Sequence, residues 1–183
     1  MLEAISPALE AIRTALGPWY LYIKFVHLIS VMIWAWSTAV AYGWYVRLTY
    51  RKWLANPGDE ERKRRRNWAL EQFDRGAIME HVAFPLVVVT GPLLWIIGGW
   101  RIDVEPSWLL VKLVVVVGIF LPMEIVDYWL CHFWGNKYRI RLTGDLERYE
   151  RVVGLHWLFL RITTPLVIVF VPLVIFLVVV KPF

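Results

Sequence analysis

The sequence predicts an all-α integral membrane protein: a four-helix bundle preceded by a short interfacial amphipathic helix. Three observations predict it. Apolar residues fill 59% of 183 positions and mean hydropathy is +0.54, more than a water-soluble surface carries without large hydrophobic patches. The charged residues, 19% of the chain, gather in a few stretches instead of spreading along it. Four apolar segments each meet or exceed the ~20 residues that cross ~30 Å of hydrocarbon as a helix.

Taken in order, residues 2–16 place Leu2, Ile5, Leu9, Ile12 and Leu16 at helical spacing. That is one apolar stripe on a helix too short and too polar to span, suited to the membrane surface. Gly17-Pro18 is expected to end it, so that residues 1–18 form the surface segment, with Trp19, Tyr20 and Tyr22 in an aromatic belt. The spans are expected at about 20–45, 78–97, 108–130 and 155–180. The Val/Leu/Ile runs at 113–117 and 173–180 would suit strands in water. In hydrocarbon the backbone must satisfy its own hydrogen bonds, so they are read as helix. The whole chain, 1–183, is read as a single membrane domain.

The connections set orientation. Loops 46–77 and 131–154 hold 14 of the 20 Lys and Arg residues, while Arg13, Lys24, Arg101, Lys112 and Lys181 lie toward the other side and Arg161 within a span. The positive-inside rule makes both loops cytoplasmic and both termini external, in a cell inner (cytoplasmic) membrane. Within the first loop, Asn56-Pro57-Gly58-Asp59 reads as a turn and Glu60 onward as a charged helix, with Arg62–Arg66 as a solvated face near anionic headgroups. Orientation accounts for the net charge of +5, so the expected partner is the lipid bilayer and not nucleic acid. The single cysteine, Cys131, excludes an internal disulfide. The acidic N-terminal stretch with Glu3 and Glu10 does not read as a cleaved signal peptide.

Ionisable groups inside spans are costly in hydrocarbon and therefore nominate functional sites. Each predicted helix carries one of the four histidines: His27, His81, His132 and His156. Neutral imidazole is a common ligand for metal or haem iron inside a bundle. His27 sits about seven residues into the first span, and at ~1.5 Å per residue that is roughly 7–10 Å deep on the external side. The other three fall near the opposite helix ends. Two sites are therefore open: one around His27, with Lys112 at matching depth and Trp34 two turns on, and one around the trio. The trio could face imidazoles across diagonal helices for one haem. It could instead build a mixed metal site with Glu80, Glu124 and Asp127, the last two sharing a face with Cys131. Glycine-rich nucleotide loops, a Ser/His/Asp arrangement and paired cysteine ligands are all missing from the sequence, which excludes the commonest soluble catalytic and ATP-driven designs.

Three stretches resemble the HemJ-type protoporphyrinogen oxidases and, more loosely, the copper-resistance CopD-like four-helix proteins. They are Tyr22-Ile23-Lys24-Phe25-Val26-His27 with Trp34 in the first helix, Pro85 and Thr90-Gly91 in the second, and Trp108-Leu109 with Val111-Lys112-Leu113 in the third. The closing Leu177-Val178-Val179-Val180-Lys181-Pro182-Phe183 is also similar. The resemblance implies a four-helix protein holding haem b, with His27 as axial ligand, Lys112 as a matched polar residue, and a role in electron transfer or protoporphyrinogen-type oxidation. The sequence departs from that pattern in having Met123, beside Glu124, where a histidine is expected, and Thr163-Thr164 where an Asn-Glu pair is expected. It therefore reads as a diverged paralogue in which Met123 could serve as the second iron ligand. The alternative expectation is a non-enzymatic accessory or scaffold subunit of a respiratory, photosynthetic or monooxygenase membrane complex, or a homo-oligomer.

Overall fold

A computed structural model describes residues 2–99 and 107–182, without the side chains of residues 2–6, Thr38 and Ser107. Arg101 and the side chains of Leu2 and Ile5, which entered the charge and amphipathicity arguments, lie outside the described residues. Everything described is helix or short turn. Four helical stretches are long and apolar enough to cross a membrane: Pro7–Leu54, Glu60–Gly98, Trp108–Thr143 and Leu146–Val180.

The first stretch begins with α1 (Leu2–Leu16) and continues as α2 (Tyr20–Val40) and α3 (Arg47–Leu54). Gly17-Pro18 ends α1 at Leu16, as the sequence suggested, but leaves no gap before the next helix. The chain tightens into a 3₁₀ turn at Gly17–Trp19, the Tyr20 N–H bonds back to the Gly17 carbonyl, and α2 starts at once. A proline in the first turn of a helix gives up an N–H that has no partner there, so Pro18 can also open the helical path that follows α1. Arg13 then reaches across to donate from Nε to the Ile96 carbonyl at 3.2 Å.

A π-type turn at Ala41–Val46 joins α2 to α3. The predicted turn at residues 55–59 forms, and α4 (Glu60–Gly76) follows it. Asp59 is its N-cap, with Oδ1 accepting from the Glu61 and Arg62 N–H groups at 3.0 Å each. Such a cap satisfies amides the first turn leaves open. The 46–77 connection is thus a helical hairpin and not a loop, because the charged positions of α4 alternate with Ala69, Leu70, Phe73 and Ala77 at helical spacing.

One residue, Ala77, separates α4 from α5 (Ile78–Gly98), which ends at Gly99 with a left-handed φ of 64°. Glycine at this position closes a helix without a β-carbon penalty. After the undescribed segment come α6 (Ser107–Val115), a π-type turn at Val116–Phe120 and α7 (Leu121–His132). The widened turn lies just before Pro122, whose ring would otherwise press on the Gly118 carbonyl one turn back.

The 131–154 connection is also mostly helix. Asn136 caps α8 (Lys137–Thr143), and Asp145 caps α9 (Leu146–Val180), so the fourth span starts about two turns earlier than the hydropathy alone suggested. Gly135 is fixed by crowding, since a β-carbon there would run into the Leu130 backbone.

In the bundle, α5 and α9 each pack against α2 and α7, and α6 packs against α9. At the basic end, α3, α4, α8 and the first turns of α9 enclose a core of Tyr50, Leu70, Phe73, Cys131, Ile140, Val152, Val153 and Leu160. A second core, around Trp34, Phe84 and Phe120, lies at mid-bundle. Leu21, Trp36, Val89, Val114 and Val179 point outward and are more than half exposed, as lipid-facing side chains would be.

Candidate functional site

The four histidines fall into two groups, as their depths in the sequence suggested. His27 on α2 is alone among them. Its Nδ1 lies 2.8 Å from Thr90 Oγ1 on α5, and its Cε1 edge lies over Gly91, where a β-carbon would sit 3.6 Å away. The direction of the His27–Thr90 bond follows from hydroxyl chemistry. A threonine has one O–H, and Thr90 gives it to the Leu86 carbonyl of its own helix, the back-bonding common for threonine inside helices. Thr90 Oγ1 can then only accept, so His27 Nδ1 carries the proton and Nε2 keeps its lone pair. Lys112 on α6 is the cation that acts on His27, and among the described residues it forms no ion pair.

The structure does not bring the other two haem-site candidates to His27. Trp34 lies seven residues, roughly 10 Å, further along the helix. It is buried, and its Nε1–H donates to Glu124 Oε1 at 2.6 Å. Met123 packs in the same core as Trp34. Met123 and Trp34 thus belong to the mid-bundle, and the pairing of His27 with Met123 on one iron is set aside.

At the basic end His81, His132, His156 and Asp127 do meet. Asp127 on α7 stands between the rings of His81 on α5 and His156 on α9, at 3.2 Å from each Nε2. A carboxylate only accepts, so both Nε2 atoms donate to it. The remaining nitrogens are also engaged. His81 Nδ1 lies 2.7 Å from His132 Nε2, and His156 Nδ1 lies 2.5 Å from Lys137 Nζ. The Lys137 ammonium also donates to Asp74 Oδ1 at 2.7 Å. The result is a chain, His132–His81–Asp127–His156–Lys137–Asp74, in which every link from His81 to Asp74 is buried.

This geometry overturns one expectation for the trio. Facing imidazoles on diagonal helices do not leave room for a haem, because Asp127 fills the space and His156 is fully enclosed. The three histidines instead pair with Asp127, Lys137 and one another. Lys137 and Asp74 were missed as members. Lys137 was counted with the solvated loop cations, yet it is completely buried. Asp74 left a legible signal, since it falls on the Leu70, Phe73 and Ala77 face of α4.

Arg66 repeats the lesson. It was read with Arg62–Arg65 as a solvated face, but it is buried, lies over the Trp53 ring at 4.0 Å and holds both oxygens of Glu150 at 2.7 Å. Nearby, Arg141 and Tyr149 both donate to Glu71. These contacts tie α3, α4, α8 and α9 into one block at the basic end.

Between the two groups lies Glu124. Its Oε1 is held by Trp34, whereas its Oε2 is buried and has no hydrogen-bond partner. Comparison with known proteins finds no matching family model, curated protein or solved structure. The functional reading therefore rests on the residues themselves.

Proposed function

We propose that this chain is a membrane-spanning haem-b protein acting in electron transfer or in oxidation of a porphyrinogen-type substrate. The observation that carries the reading is the His27–Thr90 bond. It fixes the imidazole with its proton on Nδ1, which leaves Nε2 as the ligating nitrogen, and a hydrogen bond at the far nitrogen is how protein ligands to metals are oriented. Lys112 supports the same reading, because a partly buried ammonium with no carboxylate partner among the described residues suits an anionic group such as a propionate. When bound, haem would supply one-electron chemistry. His27 would hold it, Thr90 would fix the ring, and Lys112 would neutralise an acidic substituent. The sequence resemblance to the HemJ-type oxidases agrees in naming His27 and Lys112.

In this reading the chain sits in a cell inner membrane as a four-helix bundle with the interfacial helix at the N-terminus. The α3–α4 hairpin and α8 face the cytoplasm and both termini face outward. The density of Arg and Lys in the hairpin supports that orientation. A reporter cysteine at Gly58 should then be labelled only when the cytoplasmic face is accessible. Labelling from the outer face would reverse the topology.

The test of the cofactor is an absorption spectrum of detergent-purified protein expressed with ample haem. Soret and α bands at about one haem per chain are expected; a flat visible spectrum would overturn the proposal.

A second reading, as an accessory subunit of a larger membrane complex, draws on one feature. A groove of about 350 Å³ opens between α2 and α4, lined by Ser37, Tyr45, Trp68, Gln72 and Gly76. A partner helix could seat a side chain there. Migration of the native detergent-extracted protein as a lone chain would remove that reading.

A further inference from the structure

Two buried groups in this bundle have the residue types of a metal site, and they differ in one respect. Asp74, Cys131 and His156 form the first, and Glu80, His81 and Glu124 the second, with the ligand atoms in each within 4.8 Å of one another. The first already contains a cation, since Lys137 Nζ lies 2.7 Å from Asp74 and 2.5 Å from His156. No Lys or Arg among the described residues pairs with Glu124 or Asp127, which border the second.

We propose that Glu80, His81 and Glu124 form a binding site for a single divalent first-row metal ion, independent of any cofactor at His27. Glu124 carries the argument. It is 6% exposed, Trp34 fixes its Oε1 at 2.6 Å, and its Oε2 is buried without a partner. A buried carboxylate oxygen with nothing to bind is unfavourable unless an ion or proton completes it. Glu124 and Glu80, though not His81, line a cavity of about 10 Å³ together with Asp127, Met123 and Thr163, and His81 reaches its edge only through its ligand atom within 4.8 Å of theirs. The cavity has room for one water-sized species and no more.

The surroundings resemble the outer shell of a metal centre. Trp34 donates to Glu124 and His81 Nε2 to Asp127, while the one O–H of Ser37 is shared between the Trp34 carbonyl at 3.2 Å and Glu80 Oε2 at 3.3 Å. Hydrogen bonds of this kind orient ligating carboxylates and imidazoles. On binding, His81 would exchange one of its two hydrogen bonds for the metal, and the other would keep the ring in place. Two carboxylates and one imidazole suit Mn²⁺, Fe²⁺ or Zn²⁺ better than a thiolate-seeking ion.

The experiment is a Mn²⁺ titration of chelator-treated, detergent-purified full-length protein, read as loss of the free-ion EPR signal, with Zn²⁺ as competitor. Wild-type protein should bind about one Mn²⁺ per chain, released by Zn²⁺. Glu124→Gln should weaken binding by roughly ten-fold or more, with helical circular dichroism unchanged. Glu80→Gln provides the same reading if the first variant does not fold. His27→Ala should bind Mn²⁺ as wild type does, and Glu124→Gln should leave any haem spectrum intact, so the two sites can fail separately. Absence of stoichiometric Mn²⁺ binding by the wild type, or unchanged affinity in a folded glutamine variant, would overturn the assignment.

Discussion

The two ends of the bundle treat their polar residues in opposite ways. At the basic end the buried His, Asp and Lys side chains answer one another: Asp127 accepts from two imidazoles and Lys137 joins His156 to Asp74. At the other end His27 has one hydrogen-bond partner through Nδ1, and Lys112 has no ion pair among the described residues. A buried network that is satisfied acts as a fastening, because breaking any link leaves a neighbour unpaired. A half-buried imidazole and cation with capacity to spare are better suited to an external group. Counting histidines cannot separate these roles. Following each nitrogen to its partner does.

The comparison predicts a steep gradient of mutational effects. The largest belongs to Lys137→Met. It removes the ammonium from a fully enclosed position and leaves Asp74 Oδ1 without its cation, only the residue 137 amide still donating to Oδ2, a loss of about 3–5 kcal/mol. Thermal unfolding in detergent should show a strongly lowered midpoint. If the midpoint barely moves, the fastening role of the network is wrong. Asp127→Ala comes next in certainty of mechanism, since it strips the acceptor from two buried imidazole N–H groups at about 1–3 kcal/mol each. Its midpoint should fall while Lys112→Met, at the open end, leaves stability nearly unchanged.

Thr90→Val is a subtler probe. It removes the acceptor from His27 Nδ1 and should change stability by only about 1 kcal/mol, yet it frees the ring and its tautomer. In the haem reading the variant should shift the Soret band or loosen cofactor retention; an unaltered spectrum would show that Thr90 does not orient the ligand. The smallest effect is expected at Arg151, whose pairing with Glu147 one turn away is largely solvent-exposed. Arg151→Ala should lie within the scatter of repeated unfolding measurements.

Much of this architecture was legible from the residues. The presence of four long apolar helices followed from apolar runs, the hairpin turn from Asn56-Pro57-Gly58-Asp59, and the separation of His27 from the other histidines from simple depth. What escaped were the groups whose chemistry depends on tertiary neighbours. Lys137 and Arg66 look like loop cations because positive-inside reasoning counts charges without asking which face of a helix they occupy. The helical content of 46–77 and 131–154 was underestimated because charge density resembles a loop in hydropathy, while its spacing is that of a helix. Met123 and Trp34 were assigned to the His27 site from sequence correspondence, but packing moves both to the mid-bundle beside Glu124.

The most direct test of the contrast between the two ends is a matched pair of spectra. His27→Ala and His156→Ala would be purified in parallel with the wild type, each with its haem content normalised to protein. The account predicts that His27→Ala loses the Soret band, whereas the folded fraction of His156→Ala keeps it at the wild-type position. A Soret band that survives in His27→Ala and vanishes in folded His156→Ala would place the ligand in the closed network and contradict the account.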